Sequence, residues 1–256
     1  MKKSEDPIKK FVKIVRRLRK DCPWDREQTH KSIRHSLIEE TYEVIEAIDQ
    51  NDSDELKKEL GDLLLHIVLH TVMAEEEKSF TLEEVINSIS EKMIRRHPHV
   101  FANVVAKDAH TVKKNWEHIK LAEGRKSVID GVPREMPALL RAMRIQEKAS
   151  KVGFDWNKKQ DVWKKVDEEI KELSAAERSR KHAHIEEEFG DLLFSLVNYS
   201  RFIGVNPEFA LTGSIDKFSK RFHHIESELQ RHGKRIGTVP LKELDKIWDA
   251  KKKAGL

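Results

Sequence analysis

The chain has 256 residues, of which 38% are hydrophobic and 37% are charged, and it contains only 10 glycines and 7 prolines. So few turn-forming residues argue against a sandwich or barrel of many short strands, whereas the high charge suits amphipathic helices with solvated faces. The 49 basic residues nearly balance the 45 acidic ones, and a net charge of +4 is too small to indicate a nucleic-acid-binding protein.

The sequence predicts a soluble protein of the cytoplasm. The single cysteine, Cys22, excludes an intramolecular disulfide and fits a reducing compartment. The N-terminus is basic, but no apolar run of signal-peptide length follows it. No segment approaches the roughly 20 apolar residues of a membrane span. We therefore expect neither a membrane nor a nucleic acid as partner.

Apolar residues recur at helical spacing along the chain, and no segment predicts a strand. Helices are expected at 8–20, 81–96, 139–150 and 207–230. A first pair of helices, separated by a turn and cap at Asn51, Asp52 and Ser53, is also predicted. On the first helix of this pair, one stripe at helical spacing consists of Leu37, Thr41, Val44 and Ile48. On the second helix, one face carries Leu56, Leu60, Leu63, Leu64, Ile67 and Val68. A second pair has stripes at Trp163, Val166, Ile170 and Leu173, then Leu192, Leu193, Leu196 and Val197.

The sequence contains an internal repeat, a feature that determines the fold. The segments IEETYEVIEA (38–47) and ELGDLL (59–64) are matched by DEEIKELSAA (167–176) and EFGDLL (188–193). Four carboxylates recur 129 positions later, so that Glu40, Glu43, Glu59 and Asp62 correspond to Glu169, Glu172, Glu188 and Asp191. Further on, Lys92, Arg96, Trp116 and Lys120 correspond to Lys217, Arg221, Trp248 and Lys252. We predict an all-α protein of two homologous helical-bundle domains, 1–125 and 137–256, with a connector at 126–136.

The repeated carboxylates have the spacing of a metal site. On a helix, residues three positions apart are neighbours, so Glu40 and Glu43 project together, as do Glu59 and Asp62 on the next helix. If the two helices pack antiparallel, with axes about 8–10 Å apart, the four side chains converge. Converging carboxylates repel without a counter-ion, and hard oxygen ligands suit Mg²⁺ or Mn²⁺. A single acidic motif usually lies on a solvated helix surface without binding a metal. The occurrence of the two-part motif in both copies is what favours the metal site.

The recurring basic and aromatic residues extend this site towards a triphosphate. Lysine and arginine neutralise phosphate oxygens, and each Lys–Arg pair lies four residues apart on a predicted helix. Trp116 and Trp248 are expected either to stack on a base or to fill the core. Lys120 and Lys252 are either phosphate ligands or ordinary surface lysines. A glycine inside a helix lowers stability by about 1 kcal/mol relative to alanine. Gly61 and Gly190 therefore suggest close approach of another helix, access for a ligand, or a similarity that the two copies inherited without a present function.

Seven segments resemble the MazG family of nucleotide pyrophosphohydrolases in its tandem two-domain form. They are CPWDREQT (22–29), EETYE (39–43), ELGD (59–62), RRHPHVF (95–101), VGFDW (152–156), EEIKE (168–172) and EFGD (188–191). The resemblance implies an all-α fold, Mg²⁺ dependence, homodimerisation, and hydrolysis of many NTPs and dNTPs to nucleoside monophosphate and pyrophosphate. It also implies a role in cleaning the nucleotide pool.

The resemblance further assigns roles to residues of the second domain. Its metal ligands are Glu169, Glu172, Glu188 and Asp191. Its nucleotide contacts are Lys165, His184, Lys217, Arg221, Trp248 and Lys252, with His184 where a lysine is more typical. Glu168 or Glu169 is expected to orient or deprotonate the attacking water. Because Ser36 stands at the position of Lys165 in the first domain, we predict that the second domain is the better catalyst.

Three alternatives fit part of this pattern. A di-iron carboxylate bundle needs Glu-x-x-His pairs, and although His66 follows Asp62 by four residues, Ser195 takes its place in the second copy. A narrower relative would hydrolyse dUTP or phosphoribosyl-ATP. A protein of another class would bind Mg²⁺·NTP without turnover, as a nucleotide sensor. A pyrophosphate-release assay separates the enzyme from the sensor.

Overall fold

The computed structural model of the chain describes residues 5–105, 107–108, 111–112, 115–116, 119, 123–124 and 127–255. These residues contain no strand, in agreement with the predicted all-α class, and none of their helices is long and apolar enough to cross a bilayer. The described helices of the first half are α1 (Pro7–Asp21), α2 (Pro23–Glu27), α3 (Arg34–Gln50), α4 (Ser53–Glu76), α5 (Leu82–Arg96) and α6 (Pro98–Phe101). Those of the second half are α7 (Ala138–Ser150), α8 (Lys159–Ser179), α9 (His182–Phe202), α10 (Pro207–Arg231) and α11 (Leu241–Lys253).

The chain forms two compact units, Met1–Lys107 and Asp108–Leu256. The first contains α1 to α6 and the second contains α7 to α11. The domain limits drawn from the repeat, 1–125 and 137–256 with a connector at 126–136, stay a prediction. Within the second unit, the buried Lys148 of α7 donates hydrogen bonds to the carbonyls of Val128 at 3.1 Å and Asp130 at 3.0 Å.

Each unit is built on a helical hairpin whose two helices are joined by two residues. α3 packs against α4 in the first unit, and α8 packs against α9 in the second. Asn51 and Arg180 end the first helix of each hairpin in the left-handed conformation, with φ of 55° and 56°. Asp52 then caps α4, because its Oδ1 accepts hydrogen bonds from the amides of Asp54 at 3.1 Å and Glu55 at 3.0 Å. The predicted turn and cap are therefore confirmed.

The core of the first unit lies where α1 packs against α4. Its buried members are Val12, Val15, Ile33, Val68, Leu69, Val72 and Met73. Two ion pairs flank the contact, Arg16 with Glu75 at 2.9 Å and Arg19 with Glu76 at 3.0 Å. In the second unit α9 packs against both α8 and α7, and α10 packs against α7 and α11. The fully buried side chains of that unit include Val162, Val166 and Val197.

The apolar stripes that predicted the hairpins divide between core and surface. Val68 and Val166 are buried, whereas Ile48, Ile67 and Ile170 are 53%, 50% and 46% exposed. These helices are hydrophobic over more than one face, and the other described helices cover only part of that apolar surface. The hairpins therefore keep an apolar surface that is exposed among the described residues.

Candidate metal and nucleotide site

The carboxylates of the first copy converge across the α3–α4 hairpin. Glu40 and Glu43 lie on α3 and Glu59 lies on α4, and one oxygen of each lies within 4.8 Å of the others. Glu59 is buried, whereas Glu43 is exposed. Asp62 lies close enough for its charge to raise the pKa of Glu40, an effect second to that of burial. The hairpin thus gathers the carboxylates that the spacing singled out.

The second copy repeats this arrangement on the α8–α9 hairpin. Glu169 and Glu172 lie on α8 and Glu188 lies on α9, again with one oxygen of each within 4.8 Å of the others. Glu169 is buried, and Asp191 lies one turn beyond Glu188 on α9. Each copy therefore brings together three of its four repeated carboxylates, whereas Asp62 and Asp191 are not members of these groups.

Carboxyl groups in both clusters ionise less readily than usual. Burial, and then repulsion by Glu43, raises the pKa of Glu59 to about 7. Burial, and then the charge of Glu169, raises the pKa of Glu172. Such shifts arise where an ionised carboxylate lacks enough counter-charge. Oxygens gathered from two helices and short of positive charge fit a hard divalent ion such as Mg²⁺ or Mn²⁺.

We expect Glu59 to make the metal-free protein less stable as the pH rises. Its folded pKa of about 7 lies above the ordinary value of 4.5, so its contribution is full below pH 4.5 and is lost as the pH rises through 7. The free energy of unfolding by urea, measured at about pH 5 and about pH 7.5, should fall more in the wild type than in Glu59→Gln. The variant serves as the reference because histidines titrate in the same pH range and contribute equally to both proteins. Saturating Mg²⁺ should abolish the difference. Identical pH dependence in the two metal-free proteins would contradict the prediction.

Lys165 is the cation of the second cluster. Its Nζ lies 2.7 Å from Oε1 of Glu168 and 2.7 Å from Oε1 of Glu169. Hydrogen bonds to these two carboxylates hold the pKa of Lys165 well above its usual range. His184 lies at the other helix of the hairpin, with Nδ1 3.5 Å from Oε1 of Glu188. Both residues therefore stand beside predicted metal ligands.

Gly61 and Gly190 lie on exposed helix surface just before the two aspartates. A Cβ atom at either position would meet no atom of the described neighbouring elements within 4 Å. The interpretation of these glycines as points of close helix approach is therefore wrong among the described residues, because no other described element packs against either glycine. Ligand access stays a prediction.

Gly190→Ala should raise the melting temperature and lower turnover. Alanine stabilises a helix interior by about 1 kcal/mol relative to glycine, whereas its methyl group would occupy the open space beside Asp191. Gly61→Ala is the matched control, and it should stabilise the protein while reducing turnover less. Thermal unfolding and pyrophosphate release measure the two effects. Full turnover of Gly190→Ala would exclude ligand access at this position.

Two of the predicted nucleotide contacts of the second copy, Arg221 on α10 and Trp248 on α11, lie side by side. Cζ of Arg221 lies 5.3 Å from the ring centroid of Trp248, and the ring centroid of Phe218 also lies 5.3 Å from that of Trp248. Lys217 and Lys252 are exposed on the same two helices. Trp248 is half-buried in this group, so packing accounts for the tryptophan without a stacked base.

The corresponding residues of the first copy are placed only in part. Lys92 and Arg96 lie one turn apart on α5 and are both half-buried. Trp116 is helical and half-buried, and it belongs to the compact unit Asp108–Leu256. Lys120 lies outside the described residues.

A cavity of about 440 Å³ adjoins the carboxylates of the second copy. Three aromatic side chains contribute to its wall, those of Phe154, Trp156 and Phe194. Glu169 and Asp191 also line it, so the cavity is continuous with the carboxylate cluster. A ligand held at the carboxylates can therefore extend into an apolar chamber.

Two buried amides supply polar groups to this cavity. Nε2 of Gln146 donates to the carbonyl of Phe194 at 2.8 Å, while its buried Oε1 has no partner among the described residues. Oδ1 of Asn198 accepts a hydrogen bond from Arg201, whose Nη2 lies 2.7 Å from Oδ2 of Asp155. Sequence reasoning missed these residues. The sequence offered one signal for them, since Asn198 is a polar residue two helical turns after Asp191 among the apolar positions of α9.

The first copy has apolar side chains at positions that line the cavity in the second. Phe194, Asn198 and Arg201 correspond to Leu65, Leu69 and Val72, which stand 129 positions earlier. Leu69 and Val72 belong to the buried core, and Leu65 packs against it. The two copies therefore share their carboxylates but differ in the surroundings.

Comparison with known proteins decides the family. The model of the MazG nucleotide pyrophosphohydrolase domain matches the chain twice, at residues 28–101 and 158–226. The chain belongs to the MazG family. Each matched MazG segment contains the four carboxylates of its copy, together with the Lys–Arg pair that follows them. The repeat found in the sequence is thus a pair of MazG domains, whereas Trp248 and Lys252 lie beyond the matched segments.

Three known proteins resemble this chain over nearly its whole length. The nucleoside triphosphate pyrophosphohydrolase/pyrophosphatase MazG of Thermotoga maritima is 46% identical, over 98% of this chain and 98% of that protein. The nucleoside triphosphate pyrophosphohydrolase of Escherichia coli is 41% identical, over 96% of this chain and 97% of that protein. The uncharacterized protein YabN of Bacillus subtilis is 47% identical over 94% of this chain, which spans 51% of YabN.

Proposed function

We propose that this chain is a magnesium-dependent hydrolase that converts nucleoside triphosphates and deoxynucleoside triphosphates to the monophosphate and pyrophosphate. The observation that carries the proposal is the carboxylate cluster of the second copy, which shares Glu169 with the wall of the cavity. A triphosphate at the carboxylates would place its nucleoside in a chamber of about 440 Å³, within the range of small-molecule pockets. Membership of the MazG family, and the activity for which the Thermotoga and Escherichia relatives are named, support the same reaction.

The positions of the side chains in the second copy support a different role for each. Glu169 belongs to the ligand cluster, whereas Glu168 lies beside it with a half-exposed side chain, which supports Glu168 as the base that orients water. Lys165 donates to both carboxylates and can turn its ammonium to a phosphate oxygen. Asn198 and Gln146 offer amides to the nucleoside.

Mg²⁺, or Mn²⁺ in its place, would be held by Glu169, Glu172, Glu188 and Asp191. When bound, the ion supplies charge neutralisation on the phosphates and a lowered pKa of bound water. The carboxylates of the first copy offer the same type of oxygen ligands. The first copy has no equivalent of Lys165 and carries Leu69 at the position of the cavity-lining Asn198. These differences support the second copy as the better catalyst.

Product analysis with the full chain tests the reaction. ATP incubated with Mg²⁺ should yield AMP and pyrophosphate in equal amounts, and a chelator should stop turnover until Mg²⁺ or Mn²⁺ is restored. ADP and orthophosphate as the only products would contradict the proposal. Binding of Mg²⁺·ATP without any turnover would identify a nucleotide sensor.

A panel of substrates in the same assay tests the breadth of specificity. We expect turnover of several bases with either sugar, because the surface that the cavity wall exposes is mainly apolar. Broad turnover would support the role that we propose, clearance of the cytoplasmic nucleotide pool. Turnover confined to dUTP or to phosphoribosyl-ATP would assign the narrower function.

We infer that the protein works as a homodimer. Exposed apolar side chains occupy corresponding positions of the two hairpins, Leu60, Leu64 and Ile67 on α4 and Phe189, Leu193 and Leu196 on α9. Extended apolar patches are rare on monomers, and pairing of two chains would bury them. Light scattering at micromolar concentration should report about twice the 29.9 kDa chain mass. A monomer with full turnover would contradict this inference.

A further inference from the structure

The helix α10 leads away from the hairpin that carries the carboxylates of the second copy. Only residues 203–206 join α9 to α10, and so short a connection usually lets the second helix fold back along the first. Among the described residues, α10 instead packs mainly against α7 and α11 and makes at most marginal contact with α8 and α9. The amide of Leu140 on α7 donates to Oε2 of Glu208 at 3.3 Å, which fixes the beginning of α10. Lys217 and Arg221 therefore lie on a helix that does not pack against the chain's own carboxylate cluster.

The first half of α10 is open to solvent. All ten residues of 209–218 are exposed, which is about three turns of helix. Four of them are large and apolar, and they are between 49% and 57% exposed: Phe209, Leu211, Ile215 and Phe218. The last three stand at i, i+4 and i+7 and form one stripe. Extended apolar surface of this kind is rare on monomers and indicates a partner.

The helix α9 offers a matching stripe. Phe189, Leu193 and Leu196 have the same i, i+4, i+7 spacing and are 52%, 40% and 40% exposed. The two stripes would bury each other if α10 of one chain packed against α9 of another. Because every chain carries both stripes, a twofold axis would form both contacts at once and close the assembly as a dimer. A second copy of this chain is therefore the occupant that the two faces favour.

The charges that border the two stripes are complementary. At about 100° per residue, Arg221 lies roughly 90° from the centre of the α10 stripe, and Glu188 lies roughly 100° from the centre of the α9 stripe in the same direction. In antiparallel packing, such positions meet on one side of the contact, so Arg221 would approach the partner's Glu188. Cζ of Arg221 lies 5.3 Å from the ring centroid of Trp248, a contact that positions the guanidinium.

The carboxylate cluster has little positive charge of its own. Among the described residues, Lys165 and His184 are the basic side chains that form ion pairs with its members. Lys165 already donates to Glu168 as well as to Glu169. A triphosphate adds further negative charge, and the guanidinium group of arginine matches phosphate oxygens with two parallel hydrogen bonds. The cluster thus requires cations of the kind that α10 carries.

We propose that the nucleotide site of the second copy is shared between two chains, with Lys217 and Arg221 of one chain binding the triphosphate that the partner's carboxylates hold. This sharing rests on the proposed hydrolysis and adds that one chain alone lacks a complete site. The matched MazG segment, 158–226, contains both the carboxylates and the Lys–Arg pair, whereas the packing of one chain keeps their helices apart.

Mixed dimers with one defect in each chain test the sharing. One chain carries Glu188→Gln, the other carries Lys217→Ala with Arg221→Ala, and two affinity tags isolate the mixed dimer after co-expression. Each variant as a homodimer should lose ATP turnover by roughly 100-fold or more. In the mixed dimer, one of the two sites combines intact carboxylates with an intact Lys–Arg pair, so about half of the wild-type pyrophosphate release should return.

The reciprocal arrangement is the matched control. A chain with all three substitutions is paired with a wild-type chain, and this dimer should be nearly inactive because each site then contains one defective half. Sites confined to single chains would give the opposite pair of results, an inactive first dimer and a half-active second one, and would overturn the proposal. Failure to recover any mixed dimer would also overturn it.

A surface variant and a binding measurement complete the test. Lys220→Ala, at an exposed lysine on the opposite side of α10, should keep wild-type turnover. Circular dichroism verifies that each variant is folded. Absence of turnover in the wild-type dimer would contradict the proposed hydrolysis and not the sharing. Binding of a fluorescent ATP analogue with Mg²⁺ then repeats the comparison, and the first mixed dimer should bind it more tightly than the second.

Discussion

Replacing Asp191 with asparagine should lower kcat for nucleoside triphosphate hydrolysis by roughly 10²–10³. The change removes one carboxylate charge beside Glu188 and keeps the size of the side chain. By analogy with the loss of one group that stabilises a transition state, the barrier should rise by about 3–4 kcal/mol. Pyrophosphate release at saturating ATP and Mg²⁺ measures the effect. Circular dichroism and the dimer mass verify that the variant is folded.

Asp62→Asn makes the same change in the first copy and is the matched control. It should lower kcat much less, because Ser36 replaces the lysine there and the core residues Leu69 and Val72 stand at the positions of Asn198 and Arg201. Equal losses would show that both sites contribute or that the domains are coupled. A loss confined to Asp62→Asn would reverse the assignment. Full activity of the double variant would refute the carboxylate site in both copies.

Asn198→Leu should raise KM for ATP by roughly 10-fold to 100-fold, which corresponds to about 1.4–2.7 kcal/mol of binding. The substitution introduces the residue that the first copy carries at position 69 and removes an amide from the cavity wall. Arg201 keeps its ion pair with Asp155, so the wall retains its main polar contact. Steady-state kinetics with ATP and Mg²⁺ separate the expected change in KM from any change in kcat.

Inorganic tripolyphosphate, which carries no nucleoside, provides the control for this variant. It should inhibit the wild type and Asn198→Leu with the same Ki, because the carboxylates and Lys165 are unchanged. A parallel rise in Ki would show that the substitution disturbs the carboxylate site. An unchanged KM for ATP would show that the nucleoside lies elsewhere than in the cavity.

Local features of the sequence were sufficient to predict the helical hairpins and the repeat. Helical periodicity placed α1, α5, α7 and α10 to within one residue at each end. The cap at Asp52 depends on side-chain chemistry within a few residues, so it too could be read from the chain. The carboxylates were predicted to converge on the condition that the two helices pack antiparallel, because residues at i and i+3 project from the same side of a helix.

Burial and the surroundings of the site depended on contacts between distant segments. Ile67 and Ile170 belong to apolar stripes yet are half exposed, because periodicity shows which face is apolar but not whether another element covers it. The space beside Gly190 likewise could not be read from the sequence, since it depends on which elements approach α9.

The sequence by itself determined the helices, the twofold repeat and the eight carboxylates, because each follows from spacing along one chain segment or from a match between two. Only the tertiary structure decided that Gln146 and Asn198 meet at a cavity, and that the Nδ1 atoms of His30 and His70 lie 2.8 Å apart. Those residues lie 52 and 40 positions apart, and no local pattern links them. Their meeting depends on how α7 packs against α9 and how the turn before α3 packs against α4, which only the assembled core fixes.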